Sequence, residues 1–344
     1  MPAPRTVRIT FLANPVHDYL QDTVFHGLVS LLGPENVVEF PRLDRYHSPP
    51  PDDALHPDLW FEFPEPRRPR TFADAVRSSD AVVIGSLRSG IRALVGDLLA
   101  MRHRPPVVFL DGEDDFFVLG VRRHVDLYFK REIVLPGTAS RAREVLRRAH
   151  RAARKHREHR DPLADPVSVA RVGDRRLRPL TFGWLGPTLE RRAVEYDVAF
   201  LVGPTSPVRI AVQRDLRQLA AEGVRVRLLE PGERLGWHEY MQVLAHSRIG
   251  VSIRGGGFDT RRYWEVPASG AMLLSETPRI VIPSNFVNGR EAVMSPPSRL
   301  VARIPELLEA DIESIAAAGR RRLEAAHLSV HRARTVLDAL AERP

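Results

Sequence analysis

Short runs of apolar, often β-branched residues recur along the chain and alternate with stretches whose apolar positions fall three or four apart. The first pattern predicts strands of a parallel sheet buried on both faces, the second amphipathic helices. Val7–Leu12 (VRITFL) is the first such run. A helix carrying Phe25, Leu28, Val29, Leu31 and Leu32 follows it and stops at Gly33–Pro34, before a second strand over Val37–Phe40. Further strands are predicted over Asp80–Gly85, Pro106–Leu110 and Val125–Phe129, with a helix from about Arg88 to Met101. The alternation resumes with strands at Tyr196–Val202 and Val224–Leu229, separated by a helix over Val208–Ala221. A helix bearing His238, Tyr240, Met241 and Leu244 then leads to strands at Ile249–Ile253 and Ala271–Leu274. Leu300–Leu308, Ile312–Ala325 and Val330–Leu340 predict three closing helices.

Two series of alternating strands and helices imply an α/β protein of two Rossmann-like domains. Three segments break the pattern. Arg42–Arg70 is rich in proline, aromatics and charge (PPPDDALHPDLWFEFPEPRRPR) and cannot sustain regular structure. Loops of that length are disordered or serve binding, and Trp60, Phe61 and Phe63 suit either an acceptor-side loop or ordinary anchoring. The segment 139–160 has only Val145 and Leu146 as large apolar residues. Asp161–Pro166 reads as a crossing between domains. The expected division is 1–165, 166–326 and a last helix, 327–344, packed back toward the first domain.

The 344 residues suffice for two cores, and 43% hydrophobic with 27% charged residues is ordinary for a globular protein. No stretch approaches a membrane span and the start MPAPRTVRITF is no signal peptide, so a cytoplasmic location is expected. The absence of cysteine excludes disulfides, thiol nucleophiles and cysteine-ligated metals. Net charge is +8, but Arg141–Arg160 alone holds nine Lys or Arg against two Glu. The remainder is near neutral, which argues against a general nucleic-acid surface. The basic segment reads as a solvated helix or insertion, or as a dock for an anionic membrane face or partner.

Candidate chemistry concentrates between Arg248 and Glu276 (RIGVSIRGGGFDTRRYWEVPASGAMLLSE). A buried strand runs into Arg254 and three glycines, Gly255, Gly256 and Gly257, where backbone can approach a ligand closely. Asp259 or Thr260 can cap the following helix, which carries Arg261, Arg262 and Glu265 on one side. Open α/β sheets bind ligands at this end of their strands. Arginines and a helix start suit a diphosphate, and a carboxylate one turn later suits the two hydroxyls of a ribose. The plainer alternative is a surface pair between Arg261 and Glu265. Gly203 and Arg209, at the next loop and helix start, form a second candidate phosphate contact, or simply a capped helix. His238 is placed to reach a nucleotide or to serve structure. In the first half, Asp111-Gly112-Glu113-Asp114-Asp115 ends a strand, as a divalent-metal site or as a capped turn. Lys130-Arg131-Glu132 follows the next strand, Val125–Phe129, into the cleft region. No G-x-G-x-x-G, G-x-S-x-G, H-E-x-x-H or P-loop motif occurs.

The stretch RRYWEVPASGAMLLSE resembles the donor site of GT-B glycosyltransferases, most closely the glycosyl transferases family 1 or CgeB-like group, with a further likeness to exostosin-type enzymes. YLQDTVFHGLVSLLG, PLTFGW and AHLSVHRARTVL extend the likeness over most of the chain. It implies two domains facing across a cleft with helices crossing back at the end. It places Glu265 on the donor ribose and Arg261 or Arg262 on the diphosphate. It also turns Asp111 and Asp114 toward the cleft, where a carboxylate can orient or deprotonate an acceptor hydroxyl. Many retaining relatives carry a further glutamate at the position of Gly257, so this chain departs from them there. The resemblance implies sugar transfer from a nucleotide-sugar donor to a glycan, lipid-linked or small-molecule acceptor, with no cofactor or bound metal. The competing reading is a non-catalytic module that binds a nucleotide or an anionic partner.

Overall fold

The computed structural model describes residues 7–343 apart from 53, 55, 88, 138–160 and 231. The basic segment 139–160 therefore lies outside the described residues. In the first half, β1 (Ile9–Leu12), β2 (Val37–Phe40), β3 (Ala81–Ile84), β4 (Val107–Asp111), β6 (Leu127–Lys130) and β8 (Leu177–Pro179) form one sheet in the order β2-β1-β3-β4-β6-β8. All its pairings are parallel. Helices α1 (Tyr19–Leu32), α2 (Phe72–Ser78) and α3 (Arg92–Ala100) belong to it. β1, β3, β4 and β6 are buried at every position, which is why they read as unbroken apolar runs.

The second half repeats the plan. β9 (Tyr196–Phe200), β10 (Val226–Leu228), β11 (Ser247–Ser252), β12 (Met272–Glu276) and β13 (Val293–Ser295) order as β10-β9-β11-β12-β13. These pairings too are parallel. Helices α4 (Pro207–Ala221), α5 (Trp237–Ala245), α6 (Arg261–Ala268), α7 (Pro297–Leu300), α8 (Ile304–Glu309), α9 (Ile312–Ala326) and α10 (Ser329–Ala341) complete the chain. Both sheets change winding direction beside their first strand, between β1 and β3 and between β9 and β11. At such a switch the two following loops part and leave a crevice at the carboxyl ends of the strands.

The expected domain boundary at 165 needs correction. β8 extends the first sheet, and β7 (Pro166–Val169) pairs antiparallel with β5 (Phe117–Leu119). Both stretches are too short and too polar to register as apolar runs. The crossing is instead at Leu180–Trp184, where one hydrophobic core runs on from Phe182 and Trp184 into both halves.

A second crossing lies beside the first. Trp184 and Leu328 form a parallel bridge, with Trp184 N donating to His327 O at 2.8 Å and Ser329 N to Trp184 O at 2.9 Å. α10 then packs along α1 of the first domain. Gly27 lies against the Ser329 carbonyl and the Ala333 methyl, where any Cβ would collide. Arg332 is buried at this junction and donates to the carbonyls of Thr181 (2.9 Å), Phe182 (2.6 Å) and Ala326 (3.0 Å) and to His327 Nδ1 (2.9 Å).

Candidate functional site

The crevice between β9 and β11 is bounded by loop 201–206 and by the glycine loop 253–259. Arg209, in the first turn of α4, ties the two loops together. It donates to Thr205 Oγ1 at 2.8 Å, to the Arg254 carbonyl at 3.1 Å and to the Ile253 carbonyl at 3.4 Å. Gly203 precedes it in a turn whose carbonyl accepts from Thr205 N at 2.8 Å. Burial, and next to it the charge of Arg262, hold the Arg209 guanidinium below its ordinary pKa. Arg262 Nε is buried without a hydrogen-bond partner among the described residues. Neither arginine has a carboxylate partner among them. Two neighbouring cations, each in the first turn of its own helix and with no carboxylate partner among the described residues, make an anion site. Arg254 is different: it pairs with Glu276 at 2.9 Å and lies over the Phe258 ring, so its charge is already balanced.

α6 follows the glycine loop. Thr260 occupies its N-cap position, but the hydroxyl meets Ser252 Oγ at 3.0 Å instead of capping the helix. Asp259 does not cap it either: its carboxylate accepts from Phe182 N at 2.6 Å and from Trp264 Nε1 at 2.8 Å. Glu265 is buried and held by two partners, the Tyr240 hydroxyl at 2.5 Å and Arg261 Nε at 3.0 Å. The pair between Arg261 and Glu265 is thus real, yet it is not a surface pair. Arg261 also pairs with Asp58 of the first domain, approaches His56 Nδ1 at 3.3 Å, and lies between the rings of Tyr19 and Trp237, each 4.6 Å away. Burial alone pulls its pKa down, but Glu265 and Asp58 together hold it above the ordinary arginine value. Burial raises Asp58 to about 6, with Arg261 opposing the shift. Arg261 is therefore spent on a clamp between domains, and of the two helix arginines Arg262 is the one available to an anion.

Beside Glu265 opens a cavity of about 440 Å³ between the domains. Trp237, His238 and Met241 line one side, Tyr19, Trp60 and Phe61 another, and the crossing segment 182–187 a third. The proline-rich loop thus contributes Trp60 and Phe61 to the cavity, while Phe63 packs against Phe25 and Phe61.

The acidic run at the end of β4 is met by the cations that end β6. Asp111 is fully enclosed, accepting from Lys130 Nζ at 2.8 Å and from the Tyr128 hydroxyl. Burial raises its pKa, and Lys130 opposes the shift. Asp115 accepts from Lys130 Nζ at 3.3 Å and from Phe117 N at 2.8 Å. Asp114 pairs with Arg131, but its side chain remains 62% exposed. It stands against Gly256, so the acidic loop of one domain faces the glycine loop of the other. No group of three metal-ligating residues occurs among the described residues. Sequence reasoning places Arg131 and Glu132 near the cleft, but leaves their partners unnamed. It assigns no site role to Tyr19, Asp58, Trp237 or Tyr240, since no local pattern distinguishes them from packing residues.

Residues 209–338 match the family model described as glycosyl transferase-like. Among solved structures, the chain is similar to Anabaena Alr3699/HepE in complex with UDP-glucose, over 98% of this chain and 100% of that one, at 13% identity and a TM-score of 0.53. Sucrose-phosphate synthase from Thermosynechococcus elongatus is matched over 98% of both chains at 12% identity, with a TM-score of only 0.47. A match to the GtfA/B complex covers 76% of this chain but 57% of that chain, at 11% identity and a TM-score of 0.44. No protein of curated function matches the sequence. No helix among the described residues is long and apolar enough to cross a membrane.

Proposed function

We propose that this chain, a glycosyltransferase of the two-domain GT-B fold, moves a sugar from a nucleoside-diphosphate donor to an acceptor hydroxyl in the cleft. One observation carries the donor assignment. Arg209 and Arg262 share the β9/β11 crevice with no carboxylate partner among the described residues, and Glu265 lies one helical turn further on at the edge of an aromatic cavity. The arginines and the helix start take the diphosphate and stabilise the leaving group. Glu265 takes the ribose: a carboxylate has about four acceptor positions, and Tyr240 and Arg261 use only part of them. The base enters the cavity beside Trp237 and Met241. HepE is described with UDP-glucose, which makes uridine the first base to try.

The acceptor rests mainly on the first domain. Asp111 is closed off by Lys130 and Tyr128 and supports the strand end. Asp114, exposed toward the glycine loop, is the carboxylate placed to orient or deprotonate an acceptor hydroxyl. Soluble catalysis in the cytoplasm fits this reading, with a glycan as the acceptor class to test first.

Two measurements bear on it. Titration with UDP should show Glu265→Ala weakened by about 1.5–3 kcal/mol, the usual worth of a hydrogen bond to a charged group, and Glu265→Gln by less. Undiminished UDP affinity in folded Glu265→Ala protein would remove Glu265 from the donor site. Turnover of UDP-glucose should also survive EDTA, because the cations facing the acidic run and the diphosphate are already protein side chains. Activity lost to EDTA and restored by Mn²⁺ would instead make Asp111, Asp114 and Asp115 metal ligands.

A further inference from the structure

Glu132 lies two residues beyond the end of β6 in the first domain, yet its hydrogen bonds go to the second. Its side chain is fully buried. Oε2 accepts from Phe258 N at 3.1 Å and Oε1 from Asp259 N at 2.9 Å. Gly257 makes the approach possible, since a Cβ there would collide with Glu132 Oε1. The carboxylate thus occupies the space that a side chain at 257 would fill, and it is supplied from across the cleft. Arg131 adds a contact from its Nη1 to the Asp259 carbonyl at 3.3 Å while lying 4.3 Å from the centre of the Phe182 ring.

Resting on the donor-site reading above, we propose that Glu132 is a positioning residue for the sugar-transfer reaction: its carboxylate holds the glycine loop 255–259 in the shape that receives the donor. The two amides it binds precede α6 directly, so their position sets where Arg262 and Glu265 stand. Both bonds cross from the first domain to the second, as does the Arg131 contact with the Asp259 carbonyl, so they hold the loop only while the domains are closed. Formation of the donor site is thereby tied to domain closure.

The charged groups around Glu132 are Arg131 beside it, Asp259 and Arg254 on the loop it binds, and Asp114 on the acidic turn. Burial raises Glu132 to about 7, and Arg131 opposes the shift. Two N–H donors need two acceptor oxygens. Protonation below about pH 7 turns one oxygen into a donor and releases one amide. The effect on stability has the opposite sign. A carboxyl with a raised pKa stabilises the fold below its ordinary range, and that contribution is lost as pH rises through about 7. At pH 8, therefore, Glu132→Gln removes a buried charge and should melt no lower than wild type, although it holds the loop with one bond fewer.

The test uses the full chain, Glu132→Gln and Glu132→Ala, first without ligand. Hydrogen exchange should be at least tenfold faster than in wild type at both the Phe258 and Asp259 amides in Glu132→Ala, and at one of them at least in Glu132→Gln. Unchanged exchange overturns the proposal whatever the enzyme's substrate. With UDP-glucose, Glu132→Gln at pH 8 should lose tenfold or more in kcat/KM while its melting temperature stays at or above that of wild type. Its acid limb near pH 7 should also be absent. Faster exchange with unaltered turnover and pH profile overturns the positioning role and leaves sugar transfer standing. A wild-type protein that neither binds UDP nor uses UDP-glucose, beside a positive exchange result, refutes the uridine donor and not the anchoring of the loop.

Discussion

Replacing Arg209 and Arg262 together by methionine should lower affinity for UDP at least a hundredfold and leave affinity for uridine nearly unchanged. Hydrogen bonds to charged groups contribute about 1.5–3 kcal/mol each, and a hundredfold loss corresponds to about 2.7 kcal/mol, so one good contact from each arginine suffices. The fold should tolerate the change. The two guanidinium groups repel one another, and methionine keeps much of the aliphatic stem. Arg209 does give up its bonds to Thr205 and the Ile253 and Arg254 carbonyls, which sets a small cost against the relief of repulsion. Arg262→Lys should recover part of the affinity, because an ammonium carries the charge without the two-pronged geometry. Isothermal titration with UDP and uridine reads both effects. An equal loss for both ligands would mean that the loops had collapsed, and unchanged UDP binding would put the anion site elsewhere.

Arg332→Ala should destabilise the protein by about 3 kcal/mol or more, the scale of removing one member of a buried charged network. The side chain serves the carbonyls of Thr181, Phe182 and Ala326 and the His327 ring, and it lies over Trp264 at 5.2 Å. Burial holds its pKa down to about 10, with Asp259 opposing, so the guanidinium stays charged at neutral pH in a place that water does not reach. Arg332→Lys should recover little, since one ammonium cannot span those partners. Urea denaturation followed by tryptophan fluorescence measures the loss. A shift no larger than that of a surface arginine, such as Arg214, would show that the junction does not depend on Arg332.

The two sheets are legible in the sequence because their central strands are buried on both sides. AVVI at β3 and VVFLD at β4 leave little choice. β7 and β8 escape notice since PVSV and LRP lack any apolar run, and they displace the domain boundary. The site divides in the same way. Glu265 and the glycine loop are visible because their neighbours in sequence are their neighbours in space. The fate of Arg261 is invisible, because Asp58 and His56 stand more than two hundred positions away in a loop with no periodicity. Spacing along a helix correctly joins Arg261 to Glu265. It cannot tell that a distant carboxylate claims the same guanidinium, nor that Arg262, of the two helix arginines, is the one without a carboxylate partner among the described residues.

The bond between α1 and α10 has a consequence for how the chain is made. His26 on α1 meets Ser329 at 2.9 Å, and Gly27 has no room for anything but the α10 backbone. A ribosome delivers α1 early and α10 only after residues 33–328 have emerged. Through most of synthesis, then, the apolar flank of α1 that α10 will cover faces water or a chaperone, although domains emerging first usually fold first. The amino-terminal half can lay down its sheet during translation but cannot finish its surface, and its maturation waits on the emergence of α10.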